Sequence, residues 1–287
     1  ELIGIILGMF NKYDAIKDEN SLVHILEFIT KIRSTYNDVP YHTFRHATDV
    51  CFVTFYMFTE LRSNMYLKYS RLEIIAMFVA ALGHDMYHPG YNNLFQINTK
   101  SELAIKYNGK SVLEQYSADC LVELIEKTNI IEYLNIIPDL NAINYFCDLI
   151  VEVILSTDMS THFQLQDDIR LLERKQYQLL SEKQRRTILN GLLHAADISN
   201  AARPWFVCEE WSNRVVEEFW RQGDEEKRLN LTVSPNMDRD RFERNGISIA
   251  FNDFITTPFY EVIYELIPTF ELFVKLLHIN RQKWNDL

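Results

Sequence analysis

The chain has 287 residues, of which 47% are hydrophobic and 13% aromatic, and its formal net charge is −11. This length can bury a large core without disulfide or metal staples. The acidic balance argues against a nucleic-acid partner or direct contact with an anionic membrane. We find no signal peptide and no apolar run long enough to span a bilayer. Because the four cysteines form no CxxC pair, we expect reduced thiols. The protein is then cytoplasmic, or held at the cytosolic face of a membrane by an anchor outside this chain.

Helical periodicity runs through most of the chain, and strand signals are weak. We therefore predict an all-α, compact multi-helix fold. Few glycines and prolines indicate no linker, so residues 1–287 are interpreted as a single domain. We expect this domain to be excised from a longer protein, since the chain opens inside an apolar segment. The charged run 173–186 predicts a solvated helix face.

Two histidines four residues apart open the first informative pattern. His42 and His46 are followed by Asp49, Val50 and Val53. The spacing predicts one helix that carries both imidazoles on one face. Such a pair is found at the polar edge of a core as well as in metal sites, so both interpretations stay open from these residues alone.

A helix that is apolar almost all round is predicted from Leu72 to Leu82, as expected of a central, buried element. It ends at His84 and Asp85, with His88 following. An apolar helix has no structural need for three ionisable groups at its end. His84 and Asp85 can offer one nitrogen and one carboxylate to the same cation, and Asp85 has a second oxygen for another cation.

Two later stripes also lead from apolar residues to polar ones. The first has Phe146, Leu149, Ile150, Val153 and Ile154, followed by Thr157 and Asp158. The second has Leu189, Leu192, Leu193 and Ala196, followed by Asp197. Polar groups on a buried face need partners or a wet cavity. Alone, Asp197 is also compatible with a helix cap or a buried ion pair. Together, the converging imidazoles and carboxylates indicate a site for zinc, iron, manganese or magnesium and a metal-assisted hydrolysis.

Seven segments, in order, resemble the class I 3′,5′-cyclic nucleotide phosphodiesterase catalytic domain, an HD-type metal phosphohydrolase. They are YHTFRHATDV (41–50), GHDMYHPGYNNLF (83–95), YNGKSVLE (107–114), LSTDMS (155–160), LLHAADISN (192–200), EEFWRQGDEEK (217–227) and SPNMDRD (234–240). The resemblance implies an all-α domain around a deep binuclear metal pocket.

The resemblance also implies two divalent metal ions and a role for each matching residue. The ligands of the first ion, usually zinc, fall on His46, His84, Asp85 and Asp197. Asp85 would also contact the second ion, usually magnesium or manganese. His42 matches a general acid that protonates the leaving O3′ oxygen, and Glu218 matches the carboxylate that orients it. Positions around the metal waters fall on His88, Asn93, Glu114 and Thr157.

The base pocket of the family falls on Asn200, Val215, Ser248 and Phe251. Val215 and Phe251 match the two jaws that sandwich the purine ring. Ser248 stands where the family has a glutamine, and a serine hydroxyl reaches less far than an amide. Asn245 and Asn252 lie nearby in sequence but would need a register shift. The segment Gln115-Tyr116-Ser117 is a second departure from the family pattern.

We therefore expect hydrolysis of cyclic AMP, cyclic GMP or both to 5′-nucleoside monophosphates, by in-line attack of a hydroxide with His42 as general acid. The expected partner is this substrate, and a homodimer stays open. Three alternatives stay open from the sequence. An HD hydrolase with another nucleotide substrate gains from Ser248 but loses from the full motif set. A non-catalytic nucleotide sensor would need a broken metal or acid position. A di-iron bundle would favour paired Glu-x-x-His helices.

Overall fold

The computed structural model describes residues 1–61, 69–136, 140–172 and 180–287. Their α-helices are α1 (Leu2–Lys12), α2 (Glu19–Ser34), α3 (Phe44–Leu61), α4 (Arg71–Gly83), α5 (Asn93–Asn98), α6 (Glu102–Lys106), α7 (Val112–Thr128), α8 (Ile130–Tyr133), α9 (Leu140–Leu155), α10 (His162–Arg170), α11 (Glu182–Asp197), α12 (Trp205–Arg228), α13 (Arg244–Phe251), α14 (Thr257–Leu266) and α15 (Glu271–Asn285). Within these ranges the β pairing is limited to an isolated bridge between Ile16 and Leu134. The all-α prediction is confirmed.

Helix α4 is the central element, as its sequence predicts. Its start is fixed by a capping box, in which the Ser70 hydroxyl accepts from the Glu73 N–H and the Glu73 carboxylate accepts from the Ser70 N–H. Every residue from Glu73 to Gly83 is buried, and α4 packs against α3 and α9. This packing delivers the next residue, His84, to the middle of the molecule.

The stripes predicted in α9 and α11 face the same core. Their apolar members are all buried, with exposed fractions of 0 to 1%. Helix α11 packs against α3, α9 and α10, so that its last residue, Asp197, comes close to the end of α4. Thr157 and Asp158, beyond the end of α9, are buried as the stripe indicates.

A row of buried polar side chains on α12 holds the loop that follows α4. Glu218, Gln222 and Glu226 lie four residues apart on one helix face and are all buried. The Gln222 amide exchanges two hydrogen bonds with Asn92, and Glu226 accepts from the N–H and the hydroxyl of Ser234. The row therefore fixes both flanking segments against α12.

Part of the charged run 173–186 lies outside the described residues, namely 173–179. The rest enters α11, where Arg186 pairs with Glu152 at 2.7 Å. Among the described helices, none is by itself long and apolar enough to cross a membrane. The pair Leu140–Leu155 and Met159–Arg170, bent by 80°, meets those criteria of length and composition only when joined.

Replacing Gly223 by alanine is expected to destabilise the fold by about 1–3 kcal/mol. A Cβ at this position of α12 would lie 1.8 Å from the backbone carbonyl oxygen of Met237, which cannot rotate away. Gly8→Ala in α1 is the matched control, since a Cβ there meets nothing within 4 Å. The control should gain about 0.5–1 kcal/mol from helix propensity. Urea unfolding measures both, and equal midpoints for the two variants would contradict the packing.

Candidate active site

His42 lies just before α3, which begins at Phe44, so the prediction of one helix carrying both His42 and His46 is wrong. The backbone N–H groups of Tyr41 and His42 both donate to Oε2 of Glu218, at 2.8 and 3.2 Å. This buried carboxylate comes from α12, and it holds the segment in a turn instead of a first helical turn. His46 lies on α3 as predicted.

The four predicted metal ligands converge at the ends of α4 and α11. His46 Nε2 lies 2.9 Å from Asp197 Oδ1 and 3.7 Å from Asp85 Oδ2. His84 Nε2 lies 3.1 Å from Asp85 Oδ2 and 3.3 Å from Asp197 Oδ1. Two imidazole nitrogens and two carboxylate oxygens therefore face one another, although the four residues span 152 positions of sequence.

The orientation of these groups fits a divalent cation. His84 Nδ1 donates to the carbonyl oxygen of Ala81 at 2.9 Å, so the lone pair of the neutral ring is on Nε2 and faces the carboxylates. His84 Nε2 and Asp85 Oδ2 are both buried without a hydrogen-bond partner. Buried polar atoms are rarely left unsatisfied. The donor set of imidazole nitrogens and carboxylate oxygens is that of a zinc or other divalent metal site.

Electrostatics in this cluster favour added positive charge. Burial alone would lower the pKa of His84, but Asp85 and Asp197 offset it and raise that pKa well above its usual value. Burial likewise opposes the ionisation of both aspartates, yet the facing imidazoles, His84 first, hold their pKa values well below the usual range. Two half-buried carboxylates that face the same imidazoles need compensating cations, either protons on imidazole or metal ions.

His42, His88 and Glu218 form a second cluster beside the first. Glu218 Oε1 is hydrogen-bonded to His42 Nδ1, and the two imidazole rings stack with centroids 3.7 Å apart and an angle of 25°. The Gly90 N–H donates to His88 Nδ1 at 3.1 Å. Although the three residues have metal-ligating atoms close together, nearly parallel stacked rings cannot direct two lone pairs at one ion. The geometry favours proton chemistry here.

The stacked pair has oppositely shifted pKa values. Burial would lower the pKa of His42, but Glu218, followed by Asp85, offsets this and raises it to about 9. For His88 burial prevails, with His42 adding repulsion, and the pKa falls to about 3. His42 is therefore the charged imidazolium at neutral pH, and His88 is the neutral ring. Pairs separated in this way are typical of acid–base sites.

The loop from α4 to His88 bends sharply to form this stack. Tyr87 has a left-handed backbone with φ of 62°, and its N–H donates to the carbonyl oxygen of Thr35 at 3.1 Å. Gly90 has φ of 78°, and a Cβ there would press on Val39 at 3.1 Å and approach the Glu218 carboxyl carbon at 3.8 Å. A glycine at 90 thus lets the loop close on Glu218. The unfavourable φ at Tyr87 lies between two site residues, as strained backbone often does.

The other residues predicted around the metals occupy separate positions. Asn93 holds the first turn of α7 through two hydrogen bonds. Its amide donates to Glu114 Oε2 at 2.8 Å, and its oxygen accepts from the Leu113 N–H at 3.0 Å. Burial, followed by the nearby Asp158, raises the pKa of Glu114 to about 7. The Thr157 hydroxyl donates to the carbonyl oxygen of Ile154 and is not bonded to the four-residue cluster.

The residues predicted for the base pocket connect to the cluster through two aromatic side chains. The Asn200 amide donates to the Tyr41 hydroxyl, and the Tyr41 ring lies 4.4 Å from the His46 ring. The Ser248 hydroxyl is hydrogen-bonded to that of Ser212 at 2.6 Å. Ser212 follows Trp211, whose ring lies 5.7 Å from that of His46.

Val215 and Phe251 lie on α12 and α13, which pack together, and both are half-buried. Asn252 does not belong to this pocket. It is buried at the start of a π-helical segment (Asn252–Thr256), donates to the carbonyl oxygen of Leu277 and accepts from Thr257. Both ends of the Asn252 amide are therefore engaged in the core, which argues against a register shift that places Asn252 at the glutamine position. The alignment of Ser248 with that position stays a prediction.

His162 and His194 form a pair of their own in the core. His194 is hydrogen-bonded through Nε2 to Nδ1 of His162 at 2.8 Å. Both rings are buried against Phe259. Burial, followed by the charge of His162, lowers the pKa of His194 to about 4, so this is a neutral core pair.

The sequence analysis did not predict Tyr41 and Trp211 as site residues. Tyr41 contacts Glu218, Asn200 and His46, and Trp211 packs edge-on against Tyr41 with ring centroids 5.6 Å apart. The available signals were local. Tyr41 is adjacent to His42, and Trp211 lies on the stripe of α12 that leads to Val215 and Glu218.

Comparison with known proteins agrees with this geometry. The family described as 3′5′-cyclic nucleotide phosphodiesterase matches residues 41–277. The 3′,5′-cyclic-nucleotide phosphodiesterase regA of Dictyostelium discoideum is 31% identical over 99% of this chain and 36% of its own length. The human high affinity cGMP-specific 3′,5′-cyclic phosphodiesterase 9A is 30% identical over 100% of this chain and 48% of its own. The chain thus spans less than half the length of these two relatives.

A solved structure shows the same fold. The phosphodiesterase domain of the RhoPDE fusion protein from the choanoflagellate Salpingoeca rosetta superimposes with a TM-score of 0.88 at 27% identity, covering 99% of this chain and 90% of that one. The all-α fold with a histidine–aspartate cluster between its core helices fits the class of metal-dependent hydrolases. The chain belongs to the 3′,5′-cyclic nucleotide phosphodiesterase family.

Replacing Asp197 by alanine should abolish both metal retention and activity, because it removes the oxygen that lies within 3.3 Å of both His46 and His84. Elemental analysis of the purified variant, with circular dichroism to verify folding, measures the loss. Asp167→Ala is the control, since that carboxylate is exposed and pairs with Arg170 on the surface. Stoichiometric metal in folded Asp197→Ala would remove Asp197 from the ligand set.

Replacing Glu218 by glutamine should move the alkaline limb of the pH–kcat/KM profile to lower pH. Glu218 is the main cause that raises the pKa of His42 to about 9, and the acid form of His42 is lost as pH rises through that pKa. Bound cations lower the limb in both proteins, so the difference between the two profiles is the readout. Glu217→Gln is the control, because Glu217 pairs with Arg221 on the surface. Identical limbs in all three proteins would refute the role of Glu218.

Proposed function

We propose that residues 1–287 form a single catalytic domain that hydrolyses 3′,5′-cyclic nucleotides to 5′-nucleoside monophosphates. One observation carries the proposal. The cluster of His46, His84, Asp85 and Asp197 stands directly beside the hydrogen-bonded pair of His42 and Glu218. Phosphodiester hydrolysis needs both parts, a cation site for the phosphate and a proton donor for the leaving alkoxide.

The cation site would hold two divalent ions. His46, His84, Asp85 and Asp197 fit zinc as the first, and the remaining oxygen of Asp85 would contact magnesium or manganese as the second. When bound, the ions supply Lewis acidity and a lowered pKa of water, which hydrolysis at neutral pH requires. The family is metal-dependent, which supports this assignment.

The proton chemistry belongs to the chain itself. Because Nδ1 of His42 is held by Glu218, its Nε2–H is left to donate to the leaving O3′ oxygen. Glu218 stabilises the imidazolium form and fixes the ring through its bonds to Tyr41 and His42 backbone N–H groups. His88 stacks on His42 as a neutral ring, so it places no second positive charge beside the imidazolium.

The substrate's base would lie against Val215 of α12 and Phe251 of α13, with Asn200 and Ser248 at its edge. The similarity to a cGMP-specific human relative supports a purine base but does not transfer its preference. The cytosolic location and a homodimer stay predictions.

Hydrolysis of cyclic AMP and cyclic GMP by the purified protein, before and after chelation and with zinc, magnesium or manganese restored, tests the proposal. We expect metal-dependent release of the 5′-monophosphate. His42→Ala should keep its metals and lose roughly 100- to 10,000-fold in turnover, the usual contribution of a general acid. Hydrolysis of other phosphate esters but of neither cyclic nucleotide would favour the alternative HD hydrolase.

Replacing Ser248 by glutamine should lower KM for a cyclic nucleotide by roughly 2- to 13-fold, because a carboxamide there can pair with the base edge for about 0.5–1.5 kcal/mol. Turnover should change little, since the base edge is remote from the scissile bond. The ratio of cyclic AMP to cyclic GMP hydrolysis should also shift. Ser248→Ala separates this gain from the mere loss of the Ser212 hydrogen bond. Unchanged KM for both substrates in Ser248→Gln would show that another residue reads the base.

A further inference from the structure

Two arginines near the catalytic cluster share a single carboxylate. Arg45 Nη1 lies 2.8 Å from Glu210 Oε1, and Arg214 Nη2 lies 3.1 Å from the same oxygen. Burial would raise the Glu210 pKa, but the hydrogen bonds from Arg214 and then Arg45 hold it below its usual value, so Glu210 is ionised. The three side chains together carry a charge of +1.

These arginines lie at the edge of the candidate active site. Both guanidinium groups face the ring of Trp211, at 5.6 Å for Arg45 and 5.8 Å for Arg214. The same ring packs against Tyr41 and His46. Arg214 also donates to the carbonyl oxygen of Pro40, two residues before His42. The positive charge is therefore one aromatic ring away from a metal ligand.

The arginine side chains are accessible as well as close. Their exposed fractions are 49% for Arg45 and 37% for Arg214. In the ion pair between Arg203 and Asp49, by contrast, Arg203 Nη1 donates to both carboxylate oxygens, and the pair carries no net charge. On a protein with a net charge of −11, an exposed local excess of positive charge can attract an anion that the whole molecule repels.

We propose that Arg45 and Arg214 form a cationic rim that draws the anionic phosphate of the substrate towards the cluster, with Glu210 limiting its strength. The inference rests on the proposed function, since the substrate is taken to be a cyclic phosphate monoanion. The rim acts on substrate capture and not on the chemical step. Arg45 and Arg214 thus affect KM and leave the proton donor and metal ligands in place.

Variants that remove a positive charge and a variant that removes the negative charge distinguish this role from simple packing around Trp211. Arg45→Gln and Arg214→Gln should each raise KM about 2- to 4-fold at low ionic strength with kcat retained. Glu210→Gln removes the limiting anion and should lower KM by a similar factor. A clamp that merely positions Trp211 would be loosened by all three changes, so KM would then rise in each. Arg45→Lys keeps the charge without the planar fork and should stay near the wild-type KM.

Salt and product binding give two further readouts. The effects should vanish between about 10 mM and about 1 M salt, as the screening length falls from roughly 30 to 3 Å. The 5′-monophosphate carries nearly one more negative charge than the substrate, so its inhibition constant should rise more than KM in the arginine variants.

The control is Arg221→Gln, which breaks an equivalent Arg–Glu pair four residues apart on the same helix, with Glu217. It should change neither KM nor its salt dependence. Unchanged KM in both rim variants, or a rise in KM for Glu210→Gln, would overturn the rim. Failure of the wild-type protein to hydrolyse either cyclic nucleotide would instead overturn the proposed function on which it rests.

Discussion

Asp85 and Asp197 both lie against the imidazoles of His46 and His84, and this shared contact is the constraint on which the site depends. Two carboxylates that are largely removed from water are stable as anions only if positive charge lies near them. His46 and His84 supply the nearest candidates, with Nε2 atoms 2.9 and 3.1 Å from a carboxylate oxygen. A proton on imidazole and a divalent cation answer the same demand, so metal binding must displace protons from this cluster. Metal affinity and folding are thereby coupled to pH.

Glu218, a buried carboxylate on α12, holds the proposed proton donor His42 in place. It accepts from two backbone N–H groups and one imidazole, all supplied by residues 41 and 42, which are 176 or more positions away in sequence. Burial alone would lower the pKa of His42, but the charge of Glu218 raises it and keeps the imidazole protonated. Burial would in turn raise the pKa of Glu218, but the charge of His42 lowers it to about 2. Since Gln222 and Glu226 fix the same face of α12 to neighbouring loops, the proposed acid His42 is positioned by a rigid helix.

The sequence predicted those parts of the molecule that depend on local periodicity. The apolar stripes of α4, α9 and α11, and the polar groups at their ends, follow from spacing alone, and the all-α fold follows with them. The turn at His42, the His162–His194 pair and the Ser212–Ser248 bond depend on partners more than 30 positions away, which periodicity cannot reveal. The buried row on α12 was available, because Glu218, Gln222 and Glu226 repeat at four-residue spacing within a helix of mostly exposed charges.

The side chains proposed for base recognition differ in kind from those of the two charged clusters. A carboxamide presents one donor group and one acceptor at fixed positions, whereas the paired hydroxyls of Ser212 and Ser248 can each rotate to donate or accept. When one hydroxyl of the pair accepts, the other can donate to it, and the two roles can be exchanged. A rotatable pair imposes little preference between base edges with opposite donor–acceptor patterns, so discrimination must come from better fixed groups. Asn200 is the proposed group, since its amide is held by Tyr41 while its buried oxygen has no hydrogen-bond partner among the described residues.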